Sequence, residues 1–295
     1  MLKHYLDFNS LSAEEIADLL RRAIARKVQV KRGERPPTLA SRALLMIFEK
    51  ASTRTRASFS AAMSQAGGQA QVFDLAQSQR ARGESIADTA RSISSMFDAV
   101  MIRANHHATI EEFAAHSACP VINGLSDRSH PCQVLADVMT FEELRGSLAG
   151  RKIAWIGDCN NVFFSWAQAA DILGATLVVA CPASYRFDET PAGVTITDLD
   201  TAVDGAALVM TDVWVSMGDE DAHARQAAFA GYCVNAELMA RAEKDALFMH
   251  CLPAHRGEEV AAEVIDGPHS VVWQQAENRL HAQKALLEKL LGTED

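Results

Sequence analysis

Between Phe48 and Phe59 the chain reads FEKASTRTRASF, setting Arg54 and Arg56 among the hydroxyls of Ser52, Thr53, Thr55 and Ser58, directly after an apolar run. If Ser52 to Arg56 open a helix, its unpaired backbone N–H groups and positive dipole end face the preceding loop, which suits a phosphate. Cations at a helix N-terminus oppose the dipole by roughly 0.3–1 kcal/mol each, and a bound anion reverses that sign. The alternative is that the hydroxyls cap the helix while the arginines point into water.

Other polar residues stand where apolar runs end. Arg103 closes AVMIR, where it can meet the same anion or remain a surface arginine. In HPCQ, Pro131 suits a first helical turn, with His130 before it and Gln133 one turn on. Both side chains can donate to a carbonyl oxygen or accept from an amide. GDCNN offers the amides of Asn160 and Asn161 to a carboxylate, or as helix caps. In TDVWVSMG, Asp212 can hold an ammonium group or act as a cap, and Ser216 and Met217 follow in a loop able to wrap a ligand. HCLPAHRGEE puts Cys251 after another apolar run, followed by Leu252, Pro253 and His255. Arg279, in ENRLHAQKALL, is expected at the head of the last helix, where a cation again calls for an anion.

The same stretches exclude other chemistries. IGDCNN lacks the second and third glycines of a dinucleotide loop, and H-C-L-P-A-H is not the zinc motif H-E-x-x-H. No cysteine-protease signature surrounds Cys251. The six cysteines form no C-x-x-C pair and no zinc-finger spacing, so they read as reduced thiols in a cytoplasmic protein, with no metal expected.

To position these residues the chain must supply strand ends. Short β-rich runs alternate with helical stretches: ALLMIF at 43–48, QVFD at 71–74, AVMIR at 99–103 and PVIN at 120–123. After a long helix over 130–145 the alternation restarts with RKIAWIG at 151–157, TLVVA at 176–180, ALVMTD at 207–212, ALFMHC at 246–251 and SVVW at 270–273. Ser12 with Glu15 reads as a capping box opening a helix through about Val30, and a last helix is expected from Glu277 to about Leu290. Alternation of this kind predicts two α/β lobes with parallel sheets. Ligands of such sheets bind beyond the carboxyl ends of the strands, where every candidate above except Arg279 lies.

A chain of 295 residues with 48% hydrophobic content is long enough for two lobes with full cores. Its net charge of -10 argues against nucleic acid or an anionic membrane as partner, so any anion site must be local. The N-terminus MLKHYLDFNS carries no signal pattern, and no apolar run approaches membrane-spanning length.

Taken in order, FEKASTRTRASF, RGESIADTARSIS, HPCQVLAD, GDCNN, TDVWVSMG, HCLPAHRGEEV and ENRLHAQKALL resemble the ornithine carbamoyltransferase family over nearly the whole chain. The resemblance implies a carbamoyl-phosphate lobe, 1–134 completed by 277–295, and an ornithine lobe, 135–276, joined by two interdomain helices and assembled as a homotrimer with shared sites. It implies carbamoyl-phosphate contacts from Ser52, Thr53, Arg54, Thr55, Arg103, His130 and Gln133, with Gln79 lent across the subunit interface. Asn161, Asp212, Ser216 and Met217 match ornithine contacts, and Cys251, Leu252 and Arg279 match residues that close over the reacting groups. Arg103, His130, Thr55 and Cys251 are the expected catalytic groups, with no cofactor. Arg80, Ala81 and Arg82 crowd the loop after Gln79, a departure from the family's S-Q-x-G.

Overall fold

The computed structural model describes residues 3–74, 83–187, 190–215 and 221–292, so Gln79, the Arg80 to Arg82 run, Ser216 and Met217 lie outside the described residues. The chain divides into two compact units, Met1–Met139 with Ala276–Asp295, and Thr140–Gln275.

In the first unit, strands β1 (Ala43–Phe48), β2 (Gln69–Asp74), β3 (Ala99–Arg103) and β4 (Val121–Leu125) form a parallel sheet in the order β2-β1-β3-β4. The helices are α1 (Ala13–Lys31), α2 (Thr53–Gln65), α3 (Ile86–Ser94), α4 (His107–His116) and α5 (Pro131–Arg145), the last running into the second unit. Leu44 through Phe48 and Ala99 through Ile102 are all buried, because a parallel sheet is covered on both faces and takes continuous apolar runs. Ser12 and Glu15 form the expected capping box on α1.

In the second unit, β5 (Lys152–Ile156), β6 (Thr176–Ala180), β7 (Val194–Ile196), β8 (Leu208–Thr211) and β9 (Leu247–His250) are parallel in the order β7-β6-β5-β8-β9. Helices α6 (Asn161–Leu173), α7 (Leu199–Val203), α8 (Ala222–Phe229), α9 (Ala236–Met239) and α10 (Ala262–Ile265) follow, and α11 (Val272–Leu290) leads back to the first unit. Sequential order reverses beside β1 in one sheet and beside β5 in the other, and crevices at such switch points are where open α/β sheets bind ligands. Among the described residues no helix is long and apolar enough to cross a membrane.

Two elements differ from expectation. The edge strand β7 has no counterpart among the expected runs, being only three residues long with Thr195 exposed. SVVW is not a strand: Ser270 makes an isolated bridge to Phe248, and from Val272 the chain is helical. Arg279 therefore lies inside α11 and not at its head, and the dipole argument does not apply to it. Val271, Val272 and Trp273 have strand propensity, but Val272 and Gln275 are buried at helical spacing, and packing overrides propensity. Within the first unit α11 is tied to α1 by Lys27 to Asn278 at 2.7 Å, Arg26 to Glu288 at 3.2 Å, and Lys31 to Glu277.

Between β3 and β4 the register slips, pairing Ile102 with Asn123 but Arg103 with Leu125, so Gly124 is the extra residue of a bulge that re-aims Arg103. A Cβ on Gly124 would stand 2.2 Å from Sδ of the fully buried Met101 and 3.3 Å from the Ile102 carbonyl oxygen. Gly124→Ala should therefore lower unfolding stability by about 1–3 kcal/mol, as overpacked cores do, measurable by urea denaturation.

Candidate functional site

The first-unit cluster is built on the N-terminus of α2. Ser52 caps it, its Oγ accepting from the Thr55 N–H at 3.4 Å and from Arg103 Nη1 at 3.4 Å. Thr53 is the first residue of the helix and Arg54 the next. Arg279 Nη2 donates to Thr55 Oγ1 at 2.7 Å, which leaves the Thr55 hydroxyl proton to be donated to another acceptor. Ser52 is thus a cap, as the second reading of the cluster expects, and it also receives Arg103 from the end of β3.

His130 directly precedes α5 and is 4% exposed. Burial first, then the positive charges of Arg279, Arg103 and Arg54, hold it well below the ordinary histidine value, so it is a neutral imidazole with one donor and one acceptor nitrogen. Three guanidiniums that bear on one buried neutral ring are a concentration of positive charge in a chain of net charge -10. An anion placed among them would be held by charge-assisted hydrogen bonds. Gln133, also buried, donates from Nε2 to Asp137 Oδ1 at 2.8 Å. The Cys132 thiol is pushed up to about 12 by burial and plays no nucleophilic part.

Because His130 titrates below its unfolded value of 6.5, the unfolded chain takes up a proton that the folded one refuses as pH falls through that region. Stability is therefore lost on acidification below about pH 6.5. Wild type should lose stability between about pH 6.5 and 5.5 more steeply than His130→Asn. Equal slopes in chemical denaturation would mean that neither burial nor the three arginines holds the ring down.

Sequence reasoning missed what anchors His130. The segment after Lys3 pairs beside β4, with the Tyr5 N–H on the Val121 carbonyl and the Asn123 N–H on the Tyr5 carbonyl, both at 2.8 Å. Asn123 Nδ2 reaches the Leu6 carbonyl at 2.8 Å and Ser129 Oγ at 3.0 Å. His107 Nδ1 meets Ser126 Oγ at 2.8 Å, so the loop carrying His130 is pinned by buried polar groups from three parts of the chain. The SDRS run before His130 was the available signal, since clustered polar residues beside an apolar strand call for partners.

The second-unit cluster forms at the ends of β5, β8 and β9. Asn160 caps α6, its Oδ1 accepting from Val162 N–H at 2.9 Å and Phe163 N–H at 3.2 Å, while its Nδ2 donates to Asp212 Oδ2 at 2.7 Å. Asp212 Oδ1 accepts from Val213 N–H at 2.8 Å and from the Cys251 thiol at 3.0 Å. Asn161 follows as the first residue of α6. Capping thus falls to Asn160 alone, and Asp212 is a buried acceptor with three donors converging on it. Arg225 braces the loop after β8, donating to the Trp214 carbonyl at 2.6 Å and pairing with Asp158 at 2.5 Å.

Leu252 has a backbone φ of 59°, a left-handed conformation that costs a branched residue about 1–3 kcal/mol. Its N–H is held by His250 Nδ1 at 2.9 Å. Asp212, His250 and Cys251 offer atoms within 4.8 Å of one another, yet the Nδ1 lone pair of His250 is already committed to Leu252 and its Nε2 faces Glu259 at 3.2 Å. The imidazole is thus unsuited to a metal. All six cysteines are free.

Comparison with known proteins matches both units. The carbamoyl-P binding domain of aspartate/ornithine carbamoyltransferase matches residues 3–143, and the Asp/Orn binding domain matches residues 149–290. The ornithine carbamoyltransferase of Paracidovorax citrulli (strain AAC00-1) is 54% identical over 298 residues, covering 98% of this chain and 96% of its own. That of Halorhodospira halophila is 52% identical, covering 98% of this chain and 99% of its own. Among solved structures, ornithine carbamoyltransferase from Pyrococcus furiosus superposes with a TM-score of 0.94 at 45% identity, covering 99% of this chain and 97% of that one. The Burkholderia thailandensis E264 enzyme gives 0.91 at 48% identity, with 98% of each chain covered. With both halves matched in order and relatives aligned along nearly its full length, the chain belongs to the aspartate/ornithine carbamoyltransferase family.

Proposed function

We infer that this enzyme transfers the carbamoyl group of carbamoyl phosphate to the δ-amine of L-ornithine, giving L-citrulline and phosphate. The observation that carries this reading is the gathering of Arg54, Arg103 and Arg279 about a neutral His130 at the N-terminus of α2, a phosphate receptor with a carbonyl donor beside it.

Ser52, Thr53, Arg54, the α2 backbone and Gln133 serve carbamoyl phosphate. Thr55, Arg103 and His130 donate to its carbonyl oxygen as that oxygen gains charge, and preorganised donors of this kind supply a large share of acyl-transfer catalysis. Thr55 suits this role because Arg279 already occupies its oxygen and frees its proton. The neutral δ-amine attacks the carbonyl carbon, the C–O bond to phosphate breaks, and the departing phosphate can take the amine's surplus proton. Such a displacement runs without metal or organic cofactor.

Asp212 and Asn161, with Ser216 and Met217, bind ornithine. Cys251 and Leu252 approach the reacting groups, and the thiol, which donates to Asp212, orients the amine without becoming a covalent nucleophile. Gln79 is lent by a neighbouring copy in a homotrimer. Free thiols fit the reducing cytoplasm, and the reaction belongs to arginine metabolism.

A citrulline assay with carbamoyl phosphate, run in parallel with ornithine, putrescine, N-acetylornithine and aspartate, tests the reading. The highest kcat/KM is expected for ornithine. A preference for putrescine, or no carbamoylated product, would overturn it.

A further inference from the structure

The turn after β9 depends on a chain of contacts that ends at a residue outside both clusters. Leu252 keeps its left-handed backbone while its N–H donates to His250 Nδ1 at 2.9 Å. That bond requires a bare Nδ1, so the ring proton must sit on Nε2. Nε2 faces Glu259 Oε1 at 3.2 Å, and both side chains are fully buried. The same Oε1 accepts from the His255 N–H at 2.6 Å, so one carboxylate grips the turn from both sides. Burial alone would raise the Glu259 carboxyl, but the bonds from His250 and the His255 N–H outweigh it and hold it below the ordinary value. The base of the device is rigid: His250 is paired with Thr211 in the sheet, and its N–H donates to Gln275 Oε1 at 3.2 Å.

We propose that Glu259 is a positioning residue for carbamoyl transfer, fixing the His250 tautomer that holds Leu252 in its turn and Cys251 against Asp212. Without the carboxylate the imidazole can carry its proton on Nδ1, which then repels the Leu252 N–H. Leu252 relaxes towards negative φ, and Cys251, one residue before it, leaves Asp212. Glu259 touches neither proposed substrate and acts only through His250 and the backbone. The kinetic arm of the test rests on the carbamoyl-transfer reading, whereas the labelling arm does not.

The experiment compares full-length wild type, Glu259→Ala and Glu259→Gln by initial rates and by iodoacetamide labelling followed at each cysteine by mass spectrometry. Glu259→Ala should lower kcat by about a hundredfold, the scale of an ångström-sized misplacement. Labelling of Cys251 should rise several-fold with Cys159 unchanged; Cys233 is no control, because after burial it is the Glu259 charge that pushes its thiol up. Glu259→Gln keeps an oxygen able to accept both bonds and should retain most of the turnover, a rescue that a role in charge balance alone would not give. Should the alanine protein fail to fold, Glu259→Asp keeps the charge one methylene short and is read in the same way. Wild-type turnover and labelling in the shortened variant would overturn the proposal, and so would equal acceleration at Cys251 and Cys159, which signals general loosening. A wild type that makes no citrulline sinks the assigned reaction, while the labelling pattern still decides the role of Glu259.

Discussion

Arg54→Ala is expected to weaken carbamoyl-phosphate binding by about 10- to 100-fold, because a charge-assisted hydrogen bond to phosphate is worth roughly 1.5–3 kcal/mol. Folding should survive, since the charge removed is one of three that bear on His130 and repel one another. With one positive charge fewer, His130 should also titrate closer to its ordinary value, an independent reading of the same electrostatics in an imidazole NMR titration. Unaltered binding in the variant, measured calorimetrically with a slowly reacting phosphonate analogue, would show that the STRTR cluster serves the fold and not the ligand.

Asp212→Asn should raise the ornithine KM by about 10- to 100-fold with carbamoyl-phosphate binding nearly unchanged, again on the scale of a charge-assisted bond. The geometry makes this substitution more severe than its size suggests. Asn160 Nδ2, the Val213 N–H and the Cys251 thiol all donate to the two carboxylate oxygens, and an amide has only one oxygen to offer. Whichever way it turns, its NH2 faces a donor. Three of the carboxylate's roughly four acceptor positions are taken, which leaves one for an ammonium group. Saturation curves for both substrates on the folded variant decide the matter, and an unaltered ornithine curve would remove Asp212 from the amine site.

The strands were legible because a parallel sheet buried on both faces takes unbroken apolar runs: β1, β3 and β6 span the runs ALLMIF, AVMIR and TLVVA from end to end. The clusters were legible because strand ends are where such sheets place chemistry, and each polar stretch singled out, except the one that carries Arg279, follows one. Illegible from local pattern were contacts between distant residues. Nothing near Thr55 announces Arg279, 224 positions away, and Arg279 was expected at a helix head because Val271, Val272 and Trp273 look like a strand. The Glu259 carboxylate was hidden for a related reason: in RGEE two acids stand side by side, and only burial tells that Glu259 turns inward at 0% exposure. Asn160 and Asn161 were equivalent on paper until the cap was seen to use one of them.

The first unit is discontinuous in the chain, since Ala276–Asp295 completes what Met1–Met139 begins. During synthesis the ribosome therefore delivers all of Thr140–Gln275 before Arg279 and the rest of α11. Domains fold as units when their sequence is available, so the second unit, first to be finished, can mature while the first still waits for its last helix. The anion cluster is the last thing the nascent chain can assemble. A premature stop near residue 276 would leave the first unit without both the Lys27–Asn278 tie and the third arginine, so the anion cluster could not form in such a chain.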